Sequence, residues 1–372
     1  MAKVPEVPRG HETDQMADSI RISVDAMGGD VGPRVAIEGA ALALRELRNS
    51  AFIFHGREAE ITPLLDKFPD LKKVSRVAHA DNVVAMDEKP SQALRKGRGT
   101  SSMWKALQAV KDGEADIAIS GGNTGALMAM ATFCLRPMEG ISRPAIAAIW
   151  PTLRADIIVL DVGATIGGDA KQLVDFSILG AALARALFDM ESPSIGLLNV
   201  GTEEMKGHDE VKEAAAMLTA GSGAGFRYHG FVEGDDIGKG TVDVIVTEGF
   251  TGNIALKTAE GTARQIGSYM RLALRADFFS TLGAMLAGKA FNSIRRKLDP
   301  RNVNGGVFLG LNGIVIKSHG GTDEVGFKSA LGLAYEMARS RLIDKISEGM
   351  QRFPAFPAAP APAPSDTEAN PA

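Results

Sequence analysis

The chain has 372 residues, 45% apolar and 23% charged, with 41 Lys and Arg against 45 Asp and Glu for a formal net charge of −4. That length buries a sizeable core without covalent staples, and mild acidity with only 6% aromatic residues argues against a nucleic-acid binder. Cys134 is the single cysteine, which excludes an intramolecular disulfide and a cysteine-based zinc site and suits a reducing, cytoplasmic compartment.

Residues 1–19 are polar, contain Pro5 and Pro8, lack an apolar targeting core, and are expected to be disordered. From Ile20 the chain alternates short β-branched runs with amphipathic stretches. Strands are predicted at Ile20–Val24, Ala51–His55, Val74–Ala78, Asp116–Ile119, Ala145–Trp150 and Asp156–Leu160, then at Ser194–Asn199, Tyr228–Val232, Val242–Val246, Val307–Leu311 and Ile314–Lys317. Helices are predicted between them, including Arg34–Arg48, Ser101–Lys111, Gly125–Leu135, Lys171–Asp189, one long region Gly252–Leu298, and Asp323–Ile346. This alternation implies an α/β fold, a mainly parallel sheet sandwiched by helices. The uncharged run Ile117–Leu135 contains Gly121, Gly122, Asn123, Thr124 and Gly125, so it reads as strand, loop and helix and not as a membrane span. One domain is expected over 20–350, with a helical hairpin inserted at 252–300, and the Pro/Ala-rich tail 351–372 is expected to be disordered.

Several chemistries are missing from the sequence. There is no G-x-S-x-G elbow and no H-E-x-x-H, and the six histidines show no metal-ligand spacing. The stretch Gly283–Ala290 has the glycines and lysine of a phosphate loop, but Ala290 replaces the magnesium-binding hydroxyl and no strand precedes it. What recurs instead is glycine after strands. Asp25, Gly28, Gly29 and Asp30 lie in the first such loop, and Asn123, Thr124 and Gly125 in the second. Asp161 opens a third, Asn199, Gly201 and Lys206 belong to a fourth, and Gly252 and Asn253 to a fifth, with Lys257 one turn into its helix. Glycine lets backbone amides approach a ligand, and helix N-termini bind anions. If the loops at the carboxyl ends of the strands converge on one crevice, five of them suggest a site for a phosphate-bearing ligand. A basic stretch with Lys89, Ser91, Arg95 and Arg98 is a further anion-binding candidate, with a solvated face as the plain alternative. His319 lies in another strand-to-helix loop.

Eight basic residues fall between Arg264 and Arg301 against only Asp277 and Asp299. Between them runs an eleven-residue uncharged segment, 278–288, that includes Phe278, Phe279, Leu282, Met285 and Leu286. It is too short to span a bilayer but suits a hairpin tip touching an anionic membrane surface; a dimer-interface helix pair is the alternative.

Taken in order, "DAMGGDVGP", "DEKPSQALRKGRGTSSM", "SGGNTGALMAMA", "RPAIAAIWPT", "VLDVGAT", "GLLNVGTEEMKG", "EGFTGNIALKT" and "GIVIKSHGG" resemble the acyl-carrier-protein:phosphate acyltransferase family of bacterial phospholipid synthesis, over roughly Ile20 to Ile346. The resemblance implies a fold like that of isocitrate and isopropylmalate dehydrogenases and of phosphate acetyltransferase, usually as a homodimer. It implies that long-chain acyl-acyl-carrier protein and inorganic phosphate give acyl phosphate and free carrier, without cofactor or metal. The product then serves a membrane glycerol-3-phosphate acyltransferase, so a cytoplasmic enzyme peripherally associated with the inner face of the membrane is expected. Phosphate already carries unprotonated oxygens near neutral pH and needs positioning more than activation, which suits direct attack on the thioester without an acyl-enzyme. Within that reading, Asn123 and the Gly28–Gly29 amides contact the oxyanion or phosphate, Lys89, Arg95 and Lys257 bind anions, and His319 protonates the leaving thiolate. A coenzyme A-dependent acyltransferase of the same fold and a non-catalytic carrier-protein or lipid scaffold remain the alternatives.

Overall fold

The computed structural model describes residues 19–353 except 48, 222–224, 292–298, 300 and 302–303. The expectations for residues 1–18 and for the tail from 354 onward lie outside the described residues, as does the second half of the 252–300 hairpin from 292 to 298.

In chain order the first half runs β1 (Ile20–Asp25), α1 (Pro33–Ala43), β2 (Ser50–Gly56), α2 (Glu58–Leu65), α3 (Pro69–Lys73), β3 (Ser75–His79), α4 (Pro90–Gly97), α5 (Ser102–Lys111), β4 (Ile117–Ser120) and α6 (Thr124–Leu135). Next come β5 (Ala145–Trp150), β6 (Ile157–Leu160), α7 (Ala170–Leu187), β7 (Ser194–Leu198), α8 (Asp209–Ala220), β8 (Arg227–Val232), α9 (Gly234–Lys239) and β9 (Val244–Val246). The chain closes with α10 (Gly249–Ala273), α11 (Phe278–Leu286), β10 (Gly306–Leu309), β11 (Ile314–Lys317), α12 (Glu324–Arg339) and α13 (Leu342–Arg352).

All eleven strands form one sheet in the order β3-β2-β1-β4-β11-β10-β5-β6-β9-β7-β8. Pairing is parallel within β3-β2-β1-β4-β11 and within β6-β9-β7-β8. Between these blocks β10 is antiparallel to both β11 and β5, and β5 is antiparallel to β6. The sheet is therefore mainly parallel, but its two parallel blocks point in opposite directions.

Strand alternation sorts the core onto two faces. Ile22, Val24, Phe52, Phe54, Ile117, Ile119 and Ile316 pack with Ala36, Ile37, Phe176, Leu331 and Ala334 of α1, α7 and α12. Ala118, Val315, Phe308, Ile146 and Val159 pack with Met103 and Leu107 of α5, Met130 of α6, and Ala255 and Leu256 of α10. On that second face the residues that follow in β1, β4 and β11 are polar: Asp25, Ser120 and Lys317.

Two helical predictions divide. The region Gly252–Leu298 is interrupted after Ala273, where Asp277 caps a new helix by accepting from the Ser280 N–H (2.9 Å). The stretch Asp323–Ile346 breaks at Arg341, whose φ of 55° is left-handed. Among the described helices, none is long and apolar enough to cross a membrane.

Candidate active site

Three glycine-bearing loops meet at the carboxyl ends of β1, β4 and β11. The Asp30 N–H donates to the Gly320 carbonyl (2.9 Å), and the Ser318 N–H to that of Ser120 (3.0 Å). Packing is tight enough to demand glycine: a Cβ on Gly28 would lie 2.7 Å from both Asp25 Oδ2 and the Gly122 N. A narrow cleft of about 10 Å³, room for one water, is lined by Gly28, Gly29, Gly32, Gly121, His319 and Gly320.

Beneath the loops, register places Asp25 level with Ser120, and Ser120 level with Lys317. Asp25 is buried; its Oδ2 accepts from Ser120 Oγ (2.7 Å), while Oδ1 has no hydrogen-bond partner. Burial pushes its carboxyl above the ordinary range, against the hydrogen bond from Ser120. Ser120 Oγ also accepts from the Gly122 N–H (3.0 Å). Lys317 Nζ donates to the carbonyls of Gly121 (3.3 Å) and Ser318. Its withdrawal from water pushes the ammonium down to about 8; Asp25 and Asp30 oppose the shift, and Lys257 adds to it. Lys257, carried across the face by α10, thus comes within electrostatic reach of this end, where it is exposed and paired with Glu260 (2.9 Å).

Asn123 stands before a helix, where capping is the plain alternative to a ligand contact. Its Nδ2 donates to the carbonyls of Met86 (2.7 Å) and Glu88 (3.0 Å), and its Oδ1 caps α6 by accepting from the Ala126 N–H (3.0 Å). With both amide hydrogens spent, its side chain is scaffold. The Thr124 and Gly125 amides are exposed in the same first turn, with no hydrogen-bond partner among the described residues. His319 is exposed; its backbone N–H donates to Asn304 Oδ1 (2.9 Å), and its Nδ1 accepts from the Gly321 N–H (3.2 Å). Asn304 Nδ2 also donates to Ser318 Oγ (2.9 Å) and the Gly326 carbonyl (2.8 Å), which fixes this loop.

The basic stretch is helical, which the sequence reading missed although Pro90 at the first position is a helix-start signal. Lys89 and Ser91 begin α4 beside Gly125, where a Cβ would meet Pro90 (2.8 Å). Arg95 is exposed farther along. Arg98 follows the helix and lies over the Phe133 ring, 4.4 Å from its centroid, near the far end of α6.

The other candidates do not join this site, and the expected convergence of five loops on one crevice does not hold. Asp161 follows β6 and takes the Ile146 N–H (2.9 Å) near the start of β5, whereas Lys317 is level with Gly306 and thereby with Ala148, toward its end. The loops after β6, β7 and β9 therefore lie at the opposite end of the strand ladder. Asp161 is fully buried and also accepts from the N–H groups of Gly163, Ala164 and Thr165 and from Thr165 Oγ1. Gly252 is required by packing, since a Cβ there would lie 1.9 Å from the Asp161 carbonyl oxygen. Asn253 Nδ2 ties α10 to the Val162 carbonyl (3.2 Å). Asn199 donates to the carbonyls of Gly201 (3.1 Å) and Lys206 (3.0 Å), and Lys206 pairs with Glu203 (2.8 Å), which closes a self-contained loop.

A family model described as "Fatty acid synthesis protein" matches residues 20–345. A phosphate acyltransferase of Chelativorans sp. (strain BNC1) is 60% identical over 348 residues, 93% of this chain and 99% of the relative. Another, of Rhizobium meliloti (strain 1021), is 59% identical over 334 residues, 90% of this chain and 96% of the relative. Among solved structures, a phosphotransacetylase from Streptococcus pyogenes aligns with a TM-score of 0.60 at 18% identity, over 88% of this chain and 96% of that one. The EutD phosphotransacetylase from Staphylococcus aureus aligns at 0.55 and 16%, over 88% and 98%. At those identities the structures establish a shared α/β fold. The sequence relatives establish more: the chain belongs to the phosphate acyltransferase family of enzymes.

Proposed function

We propose that the chain transfers a long-chain acyl group from acyl-carrier protein to inorganic phosphate, giving acyl phosphate and free carrier. The observation that carries this reading is the meeting of three glycine loops, with exposed amides at Thr124 and Gly125, beside Lys317 and Lys257. Such a cradle offsets charge and positions an anion without a protein nucleophile. The buried hydroxyls nearby, Ser120 and Ser23, are poor nucleophiles for geometric reasons. Ser120 is buried and spent on Asp25 and Gly122; Ser23 bonds His55 Nε2 (2.9 Å), but both residues are buried. Direct attack follows, with the loop amides meeting the oxyanion and Lys89 and Lys257 drawing in anions.

The carrier is an acidic partner approaching the α4 face, where Lys89, Arg95 and Arg98 are exposed. The protein works as a homodimer and docks on anionic membrane through α11, none of whose residues is buried. There it hands a labile acyl phosphate to a membrane glycerol-3-phosphate acyltransferase. Hydroxylamine trapping of acyl phosphate, with acyl-carrier protein and phosphate as substrates, tests the reading. Product from acyl-coenzyme A but not from acyl-carrier protein replaces the carrier with the cofactor, and no product from either leaves only a scaffold.

A further inference from the structure

The row of polar side chains under the loops contains a lysine to which direct phosphate attack, as described, gives no part in proton transfer. Lys317 ends β11 on the face covered by α5 and α6, level with Ser120 and, one strand farther, Asp25. Beyond it the same row continues with Gly306 and Ala148, and a Cβ on Gly306 would lie 3.0 Å from Ile146 Cγ2, so Ile146 covers part of that flank. Its ammonium holds the carbonyls of Gly121 and Ser318 and so joins the loops after β4 and β11, with one of its three N–H groups unspent at their junction. Asp25, with Oδ1 unpartnered, lies in the same row. His319, the sequence candidate for an acid, accepts from the Gly321 N–H at Nδ1.

We propose that Lys317 is the acid that delivers a proton to the sulfur departing from the thioester, an inference that rests on the phosphate acyltransferase reading above. An oxygen of hydrogen phosphate bonds to the thioester carbonyl carbon. The carbon–sulfur bond breaks and its electron pair stays on sulfur. Sulfur takes a proton from Lys317 Nζ, and the neutral amine regains one from the phosphate hydroxyl, so no net proton is consumed. Tuning supports the geometry: an ordinary lysine, near ~10.4, holds its proton against a thiolate whose thiol titrates near ~8.5, whereas one at about 8 gives it up at little cost.

The test compares two thioesters of one acyl group, one with an alkyl thiol and one with 4-nitrothiophenol, whose thiolate leaves without protonation. Acyl phosphate is trapped with hydroxylamine at saturating phosphate, using wild type, Lys317→Met and Lys317→Arg, each checked for folding by thermal unfolding. Lys317→Met should lose about 100-fold or more on the alkyl thioester and about threefold or less on the aryl one, with no alkyl rescue by arginine, which keeps charge but does not release its proton. Equal losses on both thioesters, or alkyl activity restored by Lys317→Arg, overturn the proposal. Wild type that forms no acyl phosphate from the alkyl thioester counts against the transferase reading itself.

Discussion

Glycine serves three purposes here, and substitution separates them. At Gly28 the backbone is ordinary but the space is taken, so Gly28→Ala should push the first two loops apart and abolish acyl phosphate formation. At Gly29, φ is +97° and a Cβ would lie 3.0 Å from the Gly320 carbonyl, so valine adds strain of roughly 1–3 kcal/mol to the lost contact. Gly29→Val should therefore lower both activity and melting temperature. At Gly113, φ is +72° with open space around it, and Gly113→Ala should cost stability alone. Equal effects of all three on acyl phosphate yield would deny the loops any special role. A second residue-scale expectation concerns acid. Burial pushes His55 down to about 3, with Arg76 and Lys105 adding to the shift. Its folded value lies below its unfolded one, so its contribution is complete above about 6.5 and is lost as pH falls toward 3, at about 1.4 kcal/mol per pH unit. Denaturant unfolding at pH 7.5, 5.5 and 4.5 should show a shallower acid loss for His55→Gln than for wild type, and identical slopes would contradict it. Lys317 was legible only as the last residue of a strand, because a lysine's burial depends on what covers it, and the covering loop comes from β4, about 200 residues away in sequence.

At the scale of elements, the strands were legible because β-branched runs such as Ile20–Asp25 and Ile314–Lys317 are short and bounded by glycine loops. Helix breaks were not. The turn before α11 depends on an Asp277 cap just ahead of an apolar run, and the break at Arg341 on a left-handed backbone without glycine. The same α11 carries the membrane prediction. Phe278, Phe279, Met285 and Leu286 are each at least 75% exposed, which is unusual for side chains of this size in a folded chain. Arg271, Arg275 and Lys289 flank them in exposed positions. Each surface-proximal cation adds about 1 kcal/mol of attraction to an anionic bilayer, and salt screens it. Wild type should float with anionic liposomes at low salt and release at high salt. The double variant Phe278→Asp/Leu282→Asp should stay in the soluble fraction, and equal flotation of the two proteins would remove α11 from the membrane.

At the scale of the molecule, the sheet's organisation was hidden from sequence because strand direction is a tertiary property. Inserting β10 antiparallel between β11 and β5, and pairing β5 antiparallel with β6, reverses the second block and carries Asp161, Asn199 and Gly252 away from the cleft. The reversal also decides where α10 starts. The helix begins among those distant loops, locked by Asp161 and Asn253, and runs 25 residues, roughly 37 Å at 1.5 Å per residue. Only Gly249 and Gly252 of α10 are buried, while Ile266, Tyr269 and Leu272 stand exposed along its later turns. A helix gains most of its stability from packing an apolar stripe, so one that leaves its own domain needs another surface. A second copy of the chain supplies an identical stripe, and two-fold pairing satisfies both at once. The protein should sediment as a dimer at micromolar concentration, with a melting temperature that rises with concentration. Ile266→Glu/Tyr269→Glu should shift it to monomer and erase that dependence. The α11 variant should stay dimeric, which separates the pairing surface from the membrane tip. A wild type that sediments as monomer would overturn the pairing, and a glutamate variant that remains dimeric would place the dimer contact elsewhere.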